Sequence, residues 1–199
     1  MIRIYSENDV NTAKEKKRKM ALTAILLGVA CLVVNAVIVV LKFNVPWGQS
    51  TFWYLFANCT VSIVYGAWLI YFFGLPYKLT KQYCALYSAS YYARVTPERA
   101  IFLGMREELE DRDGILFYEL LFYPGVDQKG NERVLKVYLE EERPTLDLEI
   151  GDEALVESQS GILVGYEVTK RSAVSDEELD AIRQRINKKL GIITADIEE

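Results

Sequence analysis

The chain has no histidine among its 199 residues, and only three cysteines and five prolines. Histidine is the side chain whose charge ordinarily changes near neutral pH, and it is the commonest transition-metal ligand. Its absence excludes triads that need His, His-bearing zinc sites and haem with a His ligand. The cysteines, Cys31, Cys59 and Cys84, form no C-x-x-C pair and read as small apolar packing residues. Acids are scarce in one half only. Residues 1–97 carry three Asp/Glu against ten Lys/Arg, a net +7, whereas residues 98–199 carry twenty-five against thirteen, a net −12.

Two apolar runs dominate the first half. Residues 20–41 (MALTAILLGVACLVVNAVIVVL) and 52–73 (FWYLFANCTVSIVYGAWLIYFF) are each 22 residues long and uncharged. About 20 residues of helix cross a hydrocarbon core of about 30 Å, so both are long enough to span. The first run follows nineteen residues, is longer than a signal-peptide core and ends in Val39-Val40-Leu41-Lys42 without a small-residue cleavage site, so it reads as an uncleaved anchor. Lys14, Lys16, Lys17, Arg18 and Lys19 precede it, and Lys78, Lys81 and Arg94 follow the second run, while the intervening loop holds one cation, Lys42. The positive-inside rule then predicts a two-pass protein of the cell membrane with both termini cytoplasmic. Trp47 and Trp53 mark the outer boundary, and Lys17, Arg18, Lys19, Lys78 and Lys81 the inner one.

Within this hairpin, Asn35 and Asn58 each lie six residues from the outer end of their span. Antiparallel neighbours place both amides about 9 Å inside the boundary. Cys31 and Ser62 match in the same way, ten residues in. These four are the expected interhelical contacts, holding the hairpin or a homo-oligomer together. Two helices enclose no pore, and neither carries an ionisable group of the kind transport pathways use.

Residues 75–97 form a Tyr-rich connector in which Tyr83, Tyr87 and Tyr91 recur at helical spacing. Two readings stay open: an interfacial helix with its rings at headgroup level, or rings packed on the following domain. From residue 98 the period turns to that of strands. Residues 100–109, 115–123, 134–139, 146–150, 154–157 and 162–168 are candidate strands, separated by Gly, Pro, Asn and Asp. Ser175-Asp176-Glu177-Glu178 is a capping box. It opens a helix over 175–190 with the stripe Leu179, Ile182, Ile186, Leu190, acids first, the bases Arg183, Arg185, Lys188 and Lys189 later, and Gly191 as its stop. The predicted architecture is an α+β membrane protein: a basic segment (1–19), a transmembrane hairpin (20–74), the connector (75–97), and an acidic domain (98–199) built as a small antiparallel β-barrel with a C-terminal helix. The stretch LEIGDEALVESQSGILVGYEV, with its Gly-Asp turn and Ser-Gly hairpin, has the rhythm of OB- and SH3-like domains. It resembles the small cytoplasmic β-domains tethered behind membrane helices in NfeD-type proteins, a likeness that implies no site residues. A PH-like barrel also suits a strand series followed by a helix.

No catalytic, cofactor or metal site emerges. The acidic stretch EELEDRDG fails as an EF-hand loop: with Gly114 at position 6, Leu109 and Leu120 fall where the end ligands belong. Ser158-Gln159-Ser160-Gly161 is not a G-x-S-x-G turn, and no phosphate-binding glycine motif occurs. A domain at −12 repels nucleic acid. The expected function is therefore non-enzymatic: an anchored module that docks a protein partner, possessing an acidic face suited to a basic one, with membrane lipids around its hairpin. The alternatives are a lipid- or ligand-sensing barrel reading the membrane surface, and an accessory subunit of a larger membrane complex or transporter.

Overall fold

The computed structural model describes residues 1–127, 129–143 and 146–190, the side chains of 107 and 187–190 excepted. The predicted break at Pro144 and stop at Gly191 lie outside the described residues, as do the side chains of Lys188, Lys189 and Leu190. Two compact units are present. One is made of residues 1–10 and 85–199, the other of residues 11–84.

The second unit is helical. It contains most of α1 (Glu7–Phe43), all of α2 (Phe52–Gly74) and the first half of α3 (Pro76–Tyr91). α1 and α2 are long and apolar enough to cross a membrane. Almost none of their apolar surface is buried within the chain, as Leu26, Leu32, Val40, Ile63 and Ile70 illustrate. The partly covered residues recur every three and four positions. On α1 they include Ala24, Gly28, Cys31, Asn35 and Ile38; on α2 they include Tyr54, Asn58, Val61, Tyr65, Trp68 and Phe72, with Ala57, Gly66 and Leu69 beside them. A spacing of 3.5 residues is that of a left-handed helix pair whose side chains interlock along one seam. The connector residues 76–91 are helical, which settles their backbone as α3.

The β unit is assembled from β1 (Ile2–Arg3), β2 (Glu98–Arg112), β3 (Ile115–Val126), β4 (Glu132–Glu140), β5 (Glu153–Gln159), β6 (Ile162–Lys170) and α4 (Asp176–Leu190). Among the described residues, these six strands form one sheet in the order β1-β6-β4-β3-β2-β5, and β5 also pairs with β6. All pairings are antiparallel except β4 with β6, which meet in parallel at Tyr138 and Ile162. The acidic stretch tested for calcium is the end of β2 and the β2–β3 turn: Asp113 and Gly114 take positive φ (59° and 83°), and the Gly114 N–H donates to the Asp111 carboxylate at 2.7 Å.

Alternation along the strands builds one core from every long strand: Ala100 and Phe102, Leu120 and Phe122, Val137 and Leu139, Ala154 and Val156, with Leu163. The opposite face of β2 and β3 presents Leu103, Leu121 and Tyr123, which α4 covers with Leu179, Ile182 and Ile186. Residues 120–123 are thus apolar without interruption because both faces of β3 are covered, one by the core and one by a helix. At the start of α4 the Ser175 hydroxyl accepts the Glu178 N–H at 3.4 Å.

Two sequence expectations change here. Residues 146–150 alternate like a strand but form none. Leu146 and Leu148 pack on the core from a loop, and the backbone N–H groups of Asp147 and Glu149 donate to the Tyr166 hydroxyl and the Asp152 carboxylate. Side-chain acceptors replace the ladder, so the alternation persists without a strand. The basic N-terminal segment, for its part, contains β1 and the opening of α1. Ile2 and Arg3 pair with Tyr166 and Gly165. A Cβ on Gly165 would come within 3.1 Å of the Ile2 carbonyl oxygen, so glycine is what lets this short strand lie close. Ser6 and Asp9 then form a capping box of their own, each side chain accepting the other's backbone N–H.

Candidate functional site

Of the residues expected to join the two spans, Cys31, Asn35 and Asn58 lie on the partly covered seam, and Ser62 is exposed beside it. Their hydrogen bonds do not cross the hairpin. The Asn35 amide donates to the Cys31 sulfur at 3.4 Å, one turn back on its own helix, and the Ser62 hydroxyl donates to the Asn58 carbonyl at 2.9 Å in the same way. The Asn35 and Asn58 amide oxygens are buried without a hydrogen-bond partner among the described residues. The bond that does cross is donated by the Tyr65 hydroxyl to the Ala24 carbonyl at 3.3 Å. Gly28 makes room for it, since a Cβ there would stand 2.7 Å from the same hydroxyl.

Most of the expected boundary residues are exposed. Trp47 and Trp53 are exposed, as are Arg18, Lys19, Lys78 and Lys81, while Lys17 is half-buried on the seam side of α1. At that end of the helices Phe72 stacks on Trp68 with ring centroids 4.8 Å apart, and the Thr80 hydroxyl donates to the Met20 sulfur at 3.2 Å.

The β unit gathers its buried charges into three places. Around Arg143, the guanidinium donates to Glu140 through Nε at 3.1 Å, and through Nη1 to Asp9 at 3.1 Å and the Ile4 carbonyl at 3.4 Å. It also lies 4.6 Å and 4.8 Å from the ring centres of Tyr5 and Tyr87. The Tyr87 hydroxyl donates to the other oxygen of Glu140 at 2.8 Å. Glu140 is 1% exposed, Tyr5 is buried, and burial together with the nearby Glu140 charge pushes the Tyr5 phenol upward despite Arg143. Tyr87 therefore packs on the domain that follows it, the second of the two readings of the connector.

In the second cluster the fully buried Asp152 accepts the N–H groups of Glu149 (3.0 Å) and Ser172 (2.9 Å) and the Arg171 guanidinium (2.7 Å), which also holds Asp147 at 2.6 Å. Burial works against the Asp152 charge, but these donors outweigh it and hold the carboxyl below its usual range. In the third, Glu119 is bridged by Arg106 at 2.8 Å and Lys136 at 2.9 Å on the outward side of β3. Among the described residues, the buried carboxylates Glu119, Glu140 and Asp152 are thus each matched by Arg or Lys. Sequence reasoning missed all of them. Glu140 stood in an acidic triplet with Glu141 and Glu142, and only the register of β4 decides which of the three is covered.

No protein family, curated protein or solved structure matches the chain.

Proposed function

We propose that this chain is a membrane-anchored, non-enzymatic docking module, with α1 and α2 in the bilayer, both termini cytoplasmic, and the acidic β unit presented to a basic protein partner. The observation that carries this reading is how the carboxylates divide. Glu119, Glu140 and Asp152, the buried ones, are consumed by cations that hold the fold, and the surplus stands on the surface, as at Glu108, Asp111, Glu141, Glu142 and Asp176 to Glu178. A paired, structural carboxylate is a poor general base, whereas a rigid surface with excess charge of one sign steers an oppositely charged partner.

We further infer that the strand ring β2–β3–β4–β6–β5, returning to β2, closes a small barrel of the OB type. The non-sequential order, the parallel meeting of β4 with β6 and a core drawn from all five strands support that form over the SH3- and PH-like ones. OB barrels commonly bind ligands on the outward face of their second and third strands. Here the corresponding face of β3 and β4 carries Leu121 and Tyr123 beneath α4, and Glu119 and Glu140 in ion pairs. A face so covered favours a protein contact elsewhere over a nucleic acid in that groove.

The test is in-cell crosslinking of the full chain followed by purification in mild detergent, beside a variant with Glu108, Asp111, Glu141 and Glu142 changed to their amides. The expected result is a stoichiometric basic protein that the variant loses. A partner retained equally by the variant would move the interaction to the hairpin and make the chain an accessory membrane subunit. Turnover of a substrate by the purified chain would end the docking reading.

A further inference from the structure

The helical unit contains a cavity of about 350 Å³ at one end of the two spans, lined by Thr12, Glu15, Lys16, Lys19, Met20 and Thr23 of α1, with Phe72 of α2. Three features place it at the membrane boundary. Met20 is the first residue of the first uncharged run, and Phe72 is the next to last of the second. The contact between Met20 and Thr80 brings α3 to the same corner, with Lys81 next in the chain and Lys78 two residues before. And the adjoining segment 14–19 sums to +4, five cations against Glu15.

The lining is divided as an amphiphile is. Met20 and the buried Phe72 are apolar and belong to the spans. Lys16 and Lys19, three residues apart on one face of α1, bring two ammonium groups to the rim. Thr12 stands one turn before Lys16 and adds a hydroxyl. Thr23 adds less, because its hydroxyl already donates to the Lys19 carbonyl at 3.0 Å. Lys19 is bridged to Glu15 at 2.8 Å, but both side chains are mostly exposed, so a phosphate in the cavity competes for the ammonium with little hindrance.

We propose that this corner seats the phosphate headgroup of an anionic phospholipid, with its glycerol and upper acyl carbons against Met20 and Phe72. The proposal rests on the membrane reading of the hairpin. A lipid suits the cavity better than free phosphate because Met20 and Phe72 of its lining are apolar and belong to the ends of the spans.

Native mass spectrometry of the full chain released from nanodiscs tests it, with phosphatidylglycerol and phosphatidylcholine as probes. Two double variants remove the same charge: Lys16→Gln with Lys19→Gln inside the cavity, and Lys17→Gln with Arg18→Gln outside it. Phosphatidylglycerol is expected to stay bound in preference to phosphatidylcholine. The first pair should weaken that retention about thirtyfold, from the usual contribution of two cations at an anionic surface, and the second pair only a few-fold. Equal loss in both pairs, no preference for the anionic lipid, or full displacement by inorganic phosphate would each overturn the proposal. A chain that does not enter nanodiscs would instead overturn the membrane reading beneath it, so the two failures are distinct.

Discussion

Arg143→Ala is expected to destabilise the β unit by about 3–5 kcal/mol, the usual cost of leaving a buried charge without its partner. The charge left behind is Glu140, 1% exposed, whose remaining contact would be the Tyr87 hydroxyl. Truncation also removes the links to Asp9 and the Ile4 carbonyl and the cation lying beside the rings of Tyr5 and Tyr87. Arg143 ties together the N-terminal segment, the end of α3 and the turn after β4, so the loss should spread beyond its own neighbourhood. All three tryptophans, Trp47, Trp53 and Trp68, belong to the helical unit, so indole fluorescence does not report this event. Hydrogen exchange of the strand amides does, and it should show faster opening across β1, β4 and β6 in the variant. Arg143→Lys should recover part of the loss, since an ammonium can pair with Glu140 but cannot also reach Asp9 and Ile4 as a planar fork does. A loss below about 1 kcal/mol for the alanine variant would place this arginine among ordinary surface ion pairs.

Asp152→Asn should remove an acid-sensitive part of the stability. Asp152 accepts two backbone N–H groups and one guanidinium, and hydrogen bonds to a charged group are worth about 1.5–3 kcal/mol each. An amide oxygen keeps some of them without the charge, so a loss of about 2–3 kcal/mol at pH 7 is expected. The pH dependence follows from the direction of the shift. The folded carboxyl titrates below its ordinary range, so the unfolded chain takes up the proton first as pH falls. The stabilisation is complete above the unfolded value near 4 and fades as pH drops through the lower folded value. Urea unfolding in mild detergent from pH 8 down to pH 3 checks this. The difference between the native chain and Asp152→Asn should be flat to about pH 5 and shrink below it. A difference that does not change with pH would mean that the carboxylate charge is not what the turn relies on. Asp9 and Asp127 are also held below their usual range, and taking the difference between the two proteins removes their contribution.

What could be read from the sequence is what local composition controls. Two uncharged runs of 22 residues announce the helices, and Ser175 with Glu178 before an apolar stripe announces α4. The turns were marked by residues that tolerate positive φ: Asp113-Gly114 and Ser160-Gly161 both adopt it. What was not legible depends on partners distant in the chain. β1 is two residues long and has no pattern of its own; it exists because Gly165 leaves room beside β6. Arg143 and Asp9 meet across 134 positions, and nothing near either residue foretells the other. In residues 146–150 the alternation was real but its cause was different, since a loop resting on a core also turns every second side chain inward. The interhelical residues were sought by matching depth, which found the seam positions Cys31, Asn35 and Asn58 and missed Tyr65, whose hydroxyl spans the gap because Gly28 faces it.

The proposed docking function requires the hairpin to lie in the bilayer with the acidic unit on the cytoplasmic side. A reporter that matures only in the cytoplasm, fused after Glu199 in one protein and inserted between Asn44 and Gly48 in another, tests this directly. Signal from the C-terminal fusion and none from the loop insertion is the predicted result. Signal from the loop with none from the C-terminus would reverse the orientation and place the acidic surface in a compartment where the proposed partner could not meet it.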